Sequence, residues 1–252
     1  MKKLASRCFF TIVLGLVWMS AADAARAESY STNFSLTENP ISEGGRWVNG
    51  GVAGLDWTGV QTISGLAVRT ASSVAYSDPT AVLAGIWGPD QTVEAKVHSR
   101  NQTADYYQEV ELRLRSAIAA HSITGYEVLF RCLKTGAAYA QIVRWNGPLA
   151  DFTYLAKKSG AQYGVADGDV VKATITGNVI RGYINGVEVV TARDSTYSSG
   201  SPGMGFNYGV GATYADFGFT RFSAVDSRQG VRIRASADSP PGFRRSGWRR
   251  SR

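Results

Sequence analysis

Cysteine and histidine are scarce in this sequence, with two of each among 252 residues. There is no Cys/His cluster for a transition metal, and there is neither a P-loop nor a dinucleotide-binding fingerprint. Cys8 lies in a predicted leader, so its cleavage leaves Cys132 without an intramolecular disulfide partner. Cys132 shares the alternation of Val128 and Phe130, and we therefore expect a small buried residue, not a reactive thiol.

No apolar run is long enough to cross a bilayer, which requires about 18 or more residues. The chain begins with a basic segment, continues with an apolar run from Cys8 to Met19, and then has small residues up to Ala27. This order predicts a Sec-type signal peptide over residues 1–27, with cleavage after Ala27. We therefore expect an exported protein, periplasmic or extracellular, with no transmembrane segment.

The formal net charge of +7 comes from the two ends of the chain. Residues 1–27 contribute +3 and residues 226–252 contribute +6, which leaves −2 for residues 28–225. A near-neutral body lacks the positive surface that a phosphate backbone requires, so we expect no nucleic-acid partner. Residues 226–252 are rich in Arg, Ser, Pro and Gly with little to bury, and they are predicted to be a disordered tail.

Between residues 28 and 225, apolar residues recur with period two in short runs separated by Gly, Asn and Asp. In one such run Val110 and Leu112 alternate with Glu109 and Glu111, which predicts one buried and one solvated face of an antiparallel strand. Further strands are predicted at Leu66–Arg69, Ala81–Ile86, Val93–Val97, Tyr126–Cys132, Tyr139–Trp145, Phe152–Ala156, Val170–Thr176, Val179–Ile184, Val187–Ala192, Gly203–Tyr208 and Tyr214–Phe222. About a dozen strands require two stacked sheets, so residues 28–225 are predicted to be one all-β domain, a two-sheet antiparallel β-sandwich.

The second half of the domain carries a more specific pattern. Asn185-Gly186 is predicted to form a two-residue hairpin turn with positive φ, as is Gly177-Asn178 one strand earlier. This half contains the run from D-V-V-K-A-T-I-T-G-N to I-N-G-V-E-V-V, followed by S-P-G-M-G-F-N-Y and Y-A-D-F-G-F-T-R-F-S-A. Through these motifs it resembles concanavalin A-like lectin and glucanase domains, including LamG-like modules. The resemblance implies a jelly-roll sandwich with a sugar-binding or catalytic surface on its concave sheet.

Polar residues on that sheet are candidates for ligand binding. The resemblance implies such a role for Glu109, Glu111 and Arg113, with His98 on a neighbouring strand. A row of alternating charge is also typical of a merely solvated face, where exposed ion pairs are common and weak. Both interpretations stay open at this point.

Aromatic residues next to turns give the most direct route to sugar, because pyranose rings stack their C–H faces on exposed Trp and Tyr. Trp47 and Trp57 are instead predicted to pack in the core. The candidates beside predicted turns, with a neighbouring cation, are Trp145, Arg144, Tyr106 and Tyr107.

Catalysis is less well supported by the motifs. Laminarinase-type relatives carry E-x-D-x-E on one strand, whereas this chain has Glu109-Val-Glu111-Leu-Arg113, and arginine cannot donate a proton near neutral pH. Alginate-lyase-type sandwiches combine Arg and Gln with His and Tyr, but here the motif spacing departs by one residue and two motifs overlap. If the protein is an enzyme, the catalytic candidates are Glu109, Glu111, His121 and Tyr139.

The resemblance also implies a structural Ca²⁺ site, with Asp216 of the closing D-x-F as a ligand. The leading interpretation is an exported, non-catalytic, lectin-like protein that binds a poly- or oligosaccharide. A polysaccharide-active enzyme on the same fold is the alternative, and a structural or interaction protein of the cell envelope is the third. Distinguishing these three interpretations requires the positions of the side chains in the folded protein.

Overall fold

The structure is a computed structural model that describes residues 27–71, 75–103, 105–209 and 213–227. The predicted signal peptide, apart from its last residue, and the predicted tail, apart from its first two, lie outside these ranges. Within them, no helix has both the length and the apolar character needed to cross a membrane.

The described chain is built almost entirely from strands, with one short α-helix, α1 (Gly50–Ala53), and one 3₁₀ turn at Ala161–Tyr163. The strands in chain order are β1 (Ser29–Thr32), β2 (Trp47–Asn49), β3 (Val60–Ile63), β4 (Leu66–Arg69), β5 (Thr80–Leu83), β6 (Asp90–Ser99), β7 (Gln108–Ala119), β8 (Ser122–Arg131), β9 (Tyr139–Gly147), β10 (Phe152–Ser159), β11 (Val170–Thr176), β12 (Val179–Ile184), β13 (Val187–Arg193), β14 (Ser201–Tyr208) and β15 (Phe217–Ser227).

Two antiparallel sheets contain all of these strands. The eight-stranded sheet has the order β13-β12-β11-β6-β15-β4-β3, with β1 also paired to β15. The seven-stranded sheet has the order β10-β9-β8-β7-β14-β5-β2. The predicted all-β, two-sheet sandwich is therefore confirmed.

The main core lies between the sheets and is built by alternate residues of each strand. Val110 and Leu112 of β7 pack with Val93 and Ala95 of β6, and all four are buried. Cys132 is fully buried in the same cluster, which confirms the prediction of a small core residue. Period two is the alternation that a half-buried strand requires.

The two predicted hairpin turns both occur, but with different backbone geometry. Asn185 and Gly186 have φ of 50° and 82°, as expected for a two-residue turn of type I′. Gly177 has φ of 58°, whereas Asn178 has a negative φ, so positive φ was wrongly expected there. A type II′ turn needs positive φ only at its first central residue, which is the glycine.

The solvated face predicted for β7 is wrong, because Glu109, Glu111 and Arg113 are at most 3 % exposed. These side chains lie on the outer face of the seven-stranded sheet, the face turned away from the main core. A second apolar cluster covers that face. Trp145 and other residues of β8 and β9 pack there against Leu55 and Trp57, which come from the segment between α1 and β3.

Candidate functional site

A cavity of about 180 Å³ opens on the outer face of the seven-stranded sheet. Strand register brings its polar residues together: Asn207 of β14 lies opposite Glu109 of β7, and Arg113 of β7 lies opposite Glu127 of β8. We call it the carboxylate cavity after the four carboxyl groups that line it, which belong to Asp78, Glu109, Glu111 and Glu127. Its aromatic wall is formed by Tyr107, Tyr139, Trp145, Phe152 and Tyr154.

Glu109 is held by hydrogen bonds at one end of the cavity. The Tyr139 hydroxyl donates to its Oε1, and Asn207 Nδ2 donates to its Oε2 over 2.9 Å. The Tyr107 and Tyr139 hydroxyls are also bonded to each other. Burial raises the pKa of Glu109, and burial together with the neighbouring Glu109 raises the pKa values of both tyrosines. Both hydroxyls therefore keep their protons well above neutral pH.

Glu111 and Glu127 share the guanidinium of Arg113, a residue that does not itself line the cavity. Arg113 Nη2 lies 3.0 Å from Glu111 Oε2, and Arg113 Nη1 lies 2.9 Å from Glu127 Oε2. Trp145 Nε1 donates to the same Glu127 oxygen over 2.7 Å. Burial and the nearby Glu127 raise the pKa of Glu111 well above its usual range. One fully buried cation is therefore shared by two buried carboxyl groups.

Two acceptor atoms on the cavity wall have no protein partner. They are Glu111 Oε1 and Asn207 Oδ1, and both are buried. A buried polar atom without a hydrogen bond costs about 1–3 kcal/mol, so native proteins rarely leave one without a purpose. A bound molecule that donates hydrogen bonds would satisfy both.

Asp78 and Lys157 lie at the edges of the carboxylate cavity. Burial and the nearby Glu127 raise the pKa of Asp78 well above its usual range. Lys157 Nζ lies 4.4 Å from the centre of the Tyr139 ring, a cation–π contact, and its side chain is otherwise exposed. Tyr154 is 65 % exposed, and its ring contacts that of Phe152 edge to face.

The structure brings together five of the residues proposed from the sequence, because the lining of the carboxylate cavity includes Tyr107, Glu109, Glu111, Tyr139 and Trp145. Arg113 lies directly behind it, bonded to Glu111. The parity of strand β7 places Glu109, Glu111 and Arg113 on one face, as predicted. Their burial, however, makes them the wall of an enclosed site and not a row of solvated charges.

Trp145 and Arg144 do not form the exposed pair that their position near a turn suggests. Trp145 lies within β9, is 3 % exposed, and packs 5.1 Å from both Trp57 and Phe152, ring centre to ring centre. Arg144 points to the opposite face, where it bonds to Asp194 over 2.7 Å. Adjacent strand residues face opposite sides, so these two cannot serve one site. Trp57 is buried as predicted, and so is Trp47.

Three other candidates lie outside the carboxylate cavity. His98 is on β6, in the other sheet, and its Nδ1 is 3.0 Å from Asp167, so its expected position beside β7 is wrong. His121 lies in the β7–β8 turn with its side chain 79 % exposed and paired with Asp56 at 2.8 Å. Tyr106 contributes a backbone carbonyl to Arg131 and is absent from the cavity lining.

Sequence reasoning missed Asp78, Glu127 and Asn207, and it considered Gln141 only as part of the alginate-lyase-type motif. Parity was a usable signal for Glu127, because it alternates with the core residues Tyr126 and Val128 on a predicted strand. Asp78 comes from the segment before β5, which has no periodic pattern. Its place in the site depends on a tertiary contact that no local rule predicts.

A wider depression of about 820 Å³ lies beside the start of β6 and the end of β11. Its charged residues are Asp90 and Arg115, which lie 3.6 Å apart. The Arg115 guanidinium also donates to the backbone carbonyls of Pro89, Tyr197 and Gly177, over 2.6, 2.9 and 2.8 Å. The lining is otherwise mainly apolar. Ligand sites usually have a few polar groups that fix the orientation of the ligand, and the smaller carboxylate cavity has such a cluster.

The calcium ligand expected at Asp216 has other partners in the structure. Its two oxygens accept hydrogen bonds from Asn101 Nδ2 and the Thr213 backbone, over 3.1 and 2.9 Å. The N-terminal segment is tied to β15 through Asp226 instead, which accepts from the backbone of Glu28 over 2.7 Å. No group of three or more His, Cys, Asp or Glu in the described ranges is placed to hold a metal ion. Calcium at Asp216 stays a prediction.

No protein-family model and no curated protein matches the sequence, whereas solved structures match it in fold. The potassium-bound carbohydrate recognition domain of Emp46p is 13 % identical, with a TM-score of 0.55 over 79 % of this chain and 98 % of that domain. The carbohydrate-binding module CBM66 from Bacillus subtilis is 14 % identical, with a TM-score of 0.48 over 72 % and 92 % of the two chains. The β-glucanase of Bacillus licheniformis is 13 % identical, with a TM-score of 0.48 over 79 % and 98 %. The Emp46p match supports the fold, and together with the two antiparallel sheets it agrees with the jelly-roll β-sandwich that the sequence predicts.

Proposed function

We propose that this protein binds a poly- or oligosaccharide, with one sugar unit in the carboxylate cavity. The observation that carries the proposal is the pair of unpartnered acceptors, Glu111 Oε1 and Asn207 Oδ1, inside an aromatic-walled cavity. Sugars present many hydrogen-bond donors around a ring with apolar C–H faces, and Tyr or Trp side chains supply aromatic faces on which such rings stack. The proposed binding is non-catalytic.

The dimensions of the cavity support a single sugar unit. Its volume of about 180 Å³ is below the roughly 300–1,000 Å³ typical of pockets for drug-sized ligands. Further units of an oligosaccharide would lie outside it, along the exposed Tyr154 and Lys157 of β10. The fold supports the same function, because the structure with the highest TM-score above is described as a carbohydrate recognition domain.

A glycoside hydrolase is the second candidate, and the raised pKa of Glu111 favours it. Retaining and inverting hydrolases use one protonated and one ionised carboxyl group on either side of the scissile bond. Burial keeps Glu111 protonated to higher pH than a free glutamate, and Glu127 is a second carboxyl group on the same wall. Against this role, Arg113 bonds to both groups, which restricts their movement towards a substrate.

The lyase alternative requires a cationic site that neutralises a uronate. Here the acidic sugar would meet four carboxyl groups, while the fully buried Arg113 is already engaged by two of them. Tyr139 would have to lose its proton to act as a base, and burial beside Glu109 raises its pKa. The charge of the carboxylate cavity therefore disfavours a lyase.

Binding to a panel of immobilised glycans, followed by titration calorimetry with each positive oligosaccharide, tests the proposal. Glu111→Gln replaces one oxygen of this carboxyl group with an amide donor, and we expect at least about tenfold weaker binding, a loss of about 1.4 kcal/mol. Glu94→Gln is the matched control, because Glu94 lies on the other sheet. The proposal fails if no glycan binds, which would favour an envelope interaction protein, or if both variants bind like the original chain. Appearance of new reducing ends would favour the hydrolase.

The proposed encounter with glycan outside the cytoplasm rests on the leader predicted over residues 1–27. N-terminal sequencing of protein recovered from the periplasm and the medium tests it, and the expected first residue is Glu28. Retention of Met1 in the recovered protein would contradict export by cleavage.

A further inference from the structure

We propose that the sugar unit in the carboxylate cavity carries a protonated amine, as a glucosamine unit does, and that the cavity selects it over neutral, N-acetylated and acidic sugars. This inference rests on the proposed function. The juxtaposition that supports it is an excess of carboxyl groups over cations around two unpartnered acceptors in one enclosed space.

The cations near the cavity do not balance its four carboxyl groups. Arg113 serves Glu111 and Glu127 together. Arg131 lies with its guanidinium carbon 3.9 Å from the centre of the Tyr107 ring, and it donates to a backbone carbonyl over 3.3 Å. Lys157 is exposed at the rim. The carboxyl groups thus outnumber the two buried cations, and burial favours the protonated form of Asp78, Glu109 and Glu111. A ligand cation would stabilise their ionised forms.

The hydrogen-bonding pattern points to the same ligand. Among the residues that line the cavity, the unpartnered atoms are Glu111 Oε1 and Asn207 Oδ1, and both are acceptors. The unpartnered donors nearby, Arg113 Nε and Arg131 Nη1, belong to residues that do not line it. An ammonium group brings three donors and no acceptor, whereas a hydroxyl brings one donor with two lone pairs. Hydrogen bonds from a cation to a carboxylate are roughly twice as strong as neutral ones. An N-acetyl group removes the charge and adds a carbonyl acceptor that would face carboxyl groups.

Protonation of the carboxyl groups then couples to binding. Burial raises the pKa values of Glu111, Glu109 and Asp78 in the free protein. A bound ammonium stabilises their ionised forms, so its arrival lowers these pKa values and releases protons. Other charged groups that face them are Glu127, Arg113, Arg131 and Lys157. Affinity for the amine should therefore rise with pH while the sugar amine stays protonated.

Calorimetric titration of the full chain with four trisaccharides tests the inference: those of glucosamine, N-acetylglucosamine, glucose and galacturonate. We expect the glucosamine trisaccharide to bind at least about tenfold more tightly than the others, a difference of about 1.4 kcal/mol. We also expect its binding enthalpy to depend on the ionisation enthalpy of the buffer, because protons are released.

Variants distinguish binding in the carboxylate cavity from a general attraction between the ligand amine and acidic residues elsewhere on the protein. Glu111→Gln should remove the preference for glucosamine, and Asp78→Asn, on a less buried residue, should reduce it without endangering the fold. Glu94→Gln on the other sheet should leave the preference unchanged. Tighter or equal binding of a neutral, acetylated or acidic trisaccharide would overturn the inference while the proposed function stands. Absence of binding to every saccharide would overturn both.

Discussion

Arg113 and Glu127 face each other across the β7–β8 pair, and the guanidinium Nη1 lies 2.9 Å from the carboxylate Oε2. Both residues are at most 2 % exposed. Such a buried pair is costly to dehydrate, and its members depend on each other and on Glu111 and Trp145, which bond to the same two groups. The wall of the carboxylate cavity is therefore an electrostatic unit as well as a binding surface.

Arg113→Met should be strongly destabilising, because it leaves Glu111 and Glu127 buried without their shared cation. Removing one partner of a buried ion pair costs about 3–5 kcal/mol. Urea unfolding at neutral pH measures this loss. Arg221→Met is the control, because Arg221 is 68 % exposed and lies 3.7 Å from Glu94, so its removal should cost about 0–1 kcal/mol. Equal losses in the two variants would contradict a central role for Arg113.

Trp145→Ala should also destabilise the protein, by about 3–5 kcal/mol, because the indole packs against Trp57 and Phe152 in a dry cluster. Trp145→Phe keeps a ring but removes the hydrogen bond to Glu127, which should cost about 1–3 kcal/mol. The exposed Tyr154 provides the comparison, since Tyr154→Ala should change stability by no more than about 0.5 kcal/mol. Thermal unfolding of the three variants measures their loss of stability, which should decrease from Trp145→Ala to Trp145→Phe to Tyr154→Ala.

The strands with clear alternation or hairpin boundaries could be predicted from the sequence. The predicted bounds of β4, β11 and β12 agree with the structure at both ends. In contrast, β1, β2 and β3 have three or four residues each and were not predicted. Length alone does not explain the difference, because β4 also has only four residues. Pairing with neighbouring strands stabilises β1, β2 and β3, and local alternation does not show that pairing.

The candidate site could be predicted only in part, because alternation separates two faces without saying what covers each. Glu109 and Glu111 were assigned to the correct face of β7, but their burial depends on Leu55 and Trp57, which reach that face from a distant segment. Trp145 was placed next to a turn, whereas β9 continues to Gly147 and carries the indole into the cluster. Tertiary cover of a sheet face is not encoded in local periodicity.

The raised pKa values of Glu109, Glu111 and Asp78 predict that stability falls as pH rises. Above about pH 4 the unfolded chain releases these protons while the native protein retains them, so the free energy of unfolding decreases until the native pKa values are passed. Glu111→Gln should flatten this decrease. Urea unfolding at several pH values between about 4 and 8 measures the slope.

Asp194 should have the opposite effect on the pH dependence of stability, which the same urea unfolding experiment can measure. Burial acts to raise its pKa, but hydrogen bonds from Thr196 and Tyr126 outweigh it, and the net pKa is lowered. Its contribution is present above about pH 4 and is lost as pH falls through the native pKa. Asp194→Asn should therefore lower stability at neutral pH. If Glu111→Gln and Asp194→Asn changed the pH dependence of the unfolding free energy in the same direction, the opposite pKa shifts of the two residues would be contradicted.

The thiol of Cys132 should resist alkylation in the native protein. Burial raises its pKa to about 12, and the side chain has no exposed surface, so neither the thiolate nor access is available. Treatment with iodoacetamide in buffer and in urea, followed by mass spectrometry of the peptide that contains Cys132, measures the difference. Equal labelling in both conditions would show that this part of the core opens readily.

Gly205→Ala tests whether the space inside the carboxylate cavity is needed for binding. Gly205 lies opposite Glu111 in the β14–β7 register, and a Cβ atom there would overlap the Glu111 carboxylate and lie 3.0 Å from Arg113 Nη2. Because the alanine would displace the Glu111 carboxyl group, whose other oxygen is the unpartnered Oε1, we expect at least about tenfold weaker saccharide binding. Gly136→Ala is the matched control, since a Cβ at Gly136 has no neighbour within 4 Å. Circular dichroism establishes that both variants keep the β-sheet fold, and retained affinity in folded Gly205→Ala would place the ligand elsewhere.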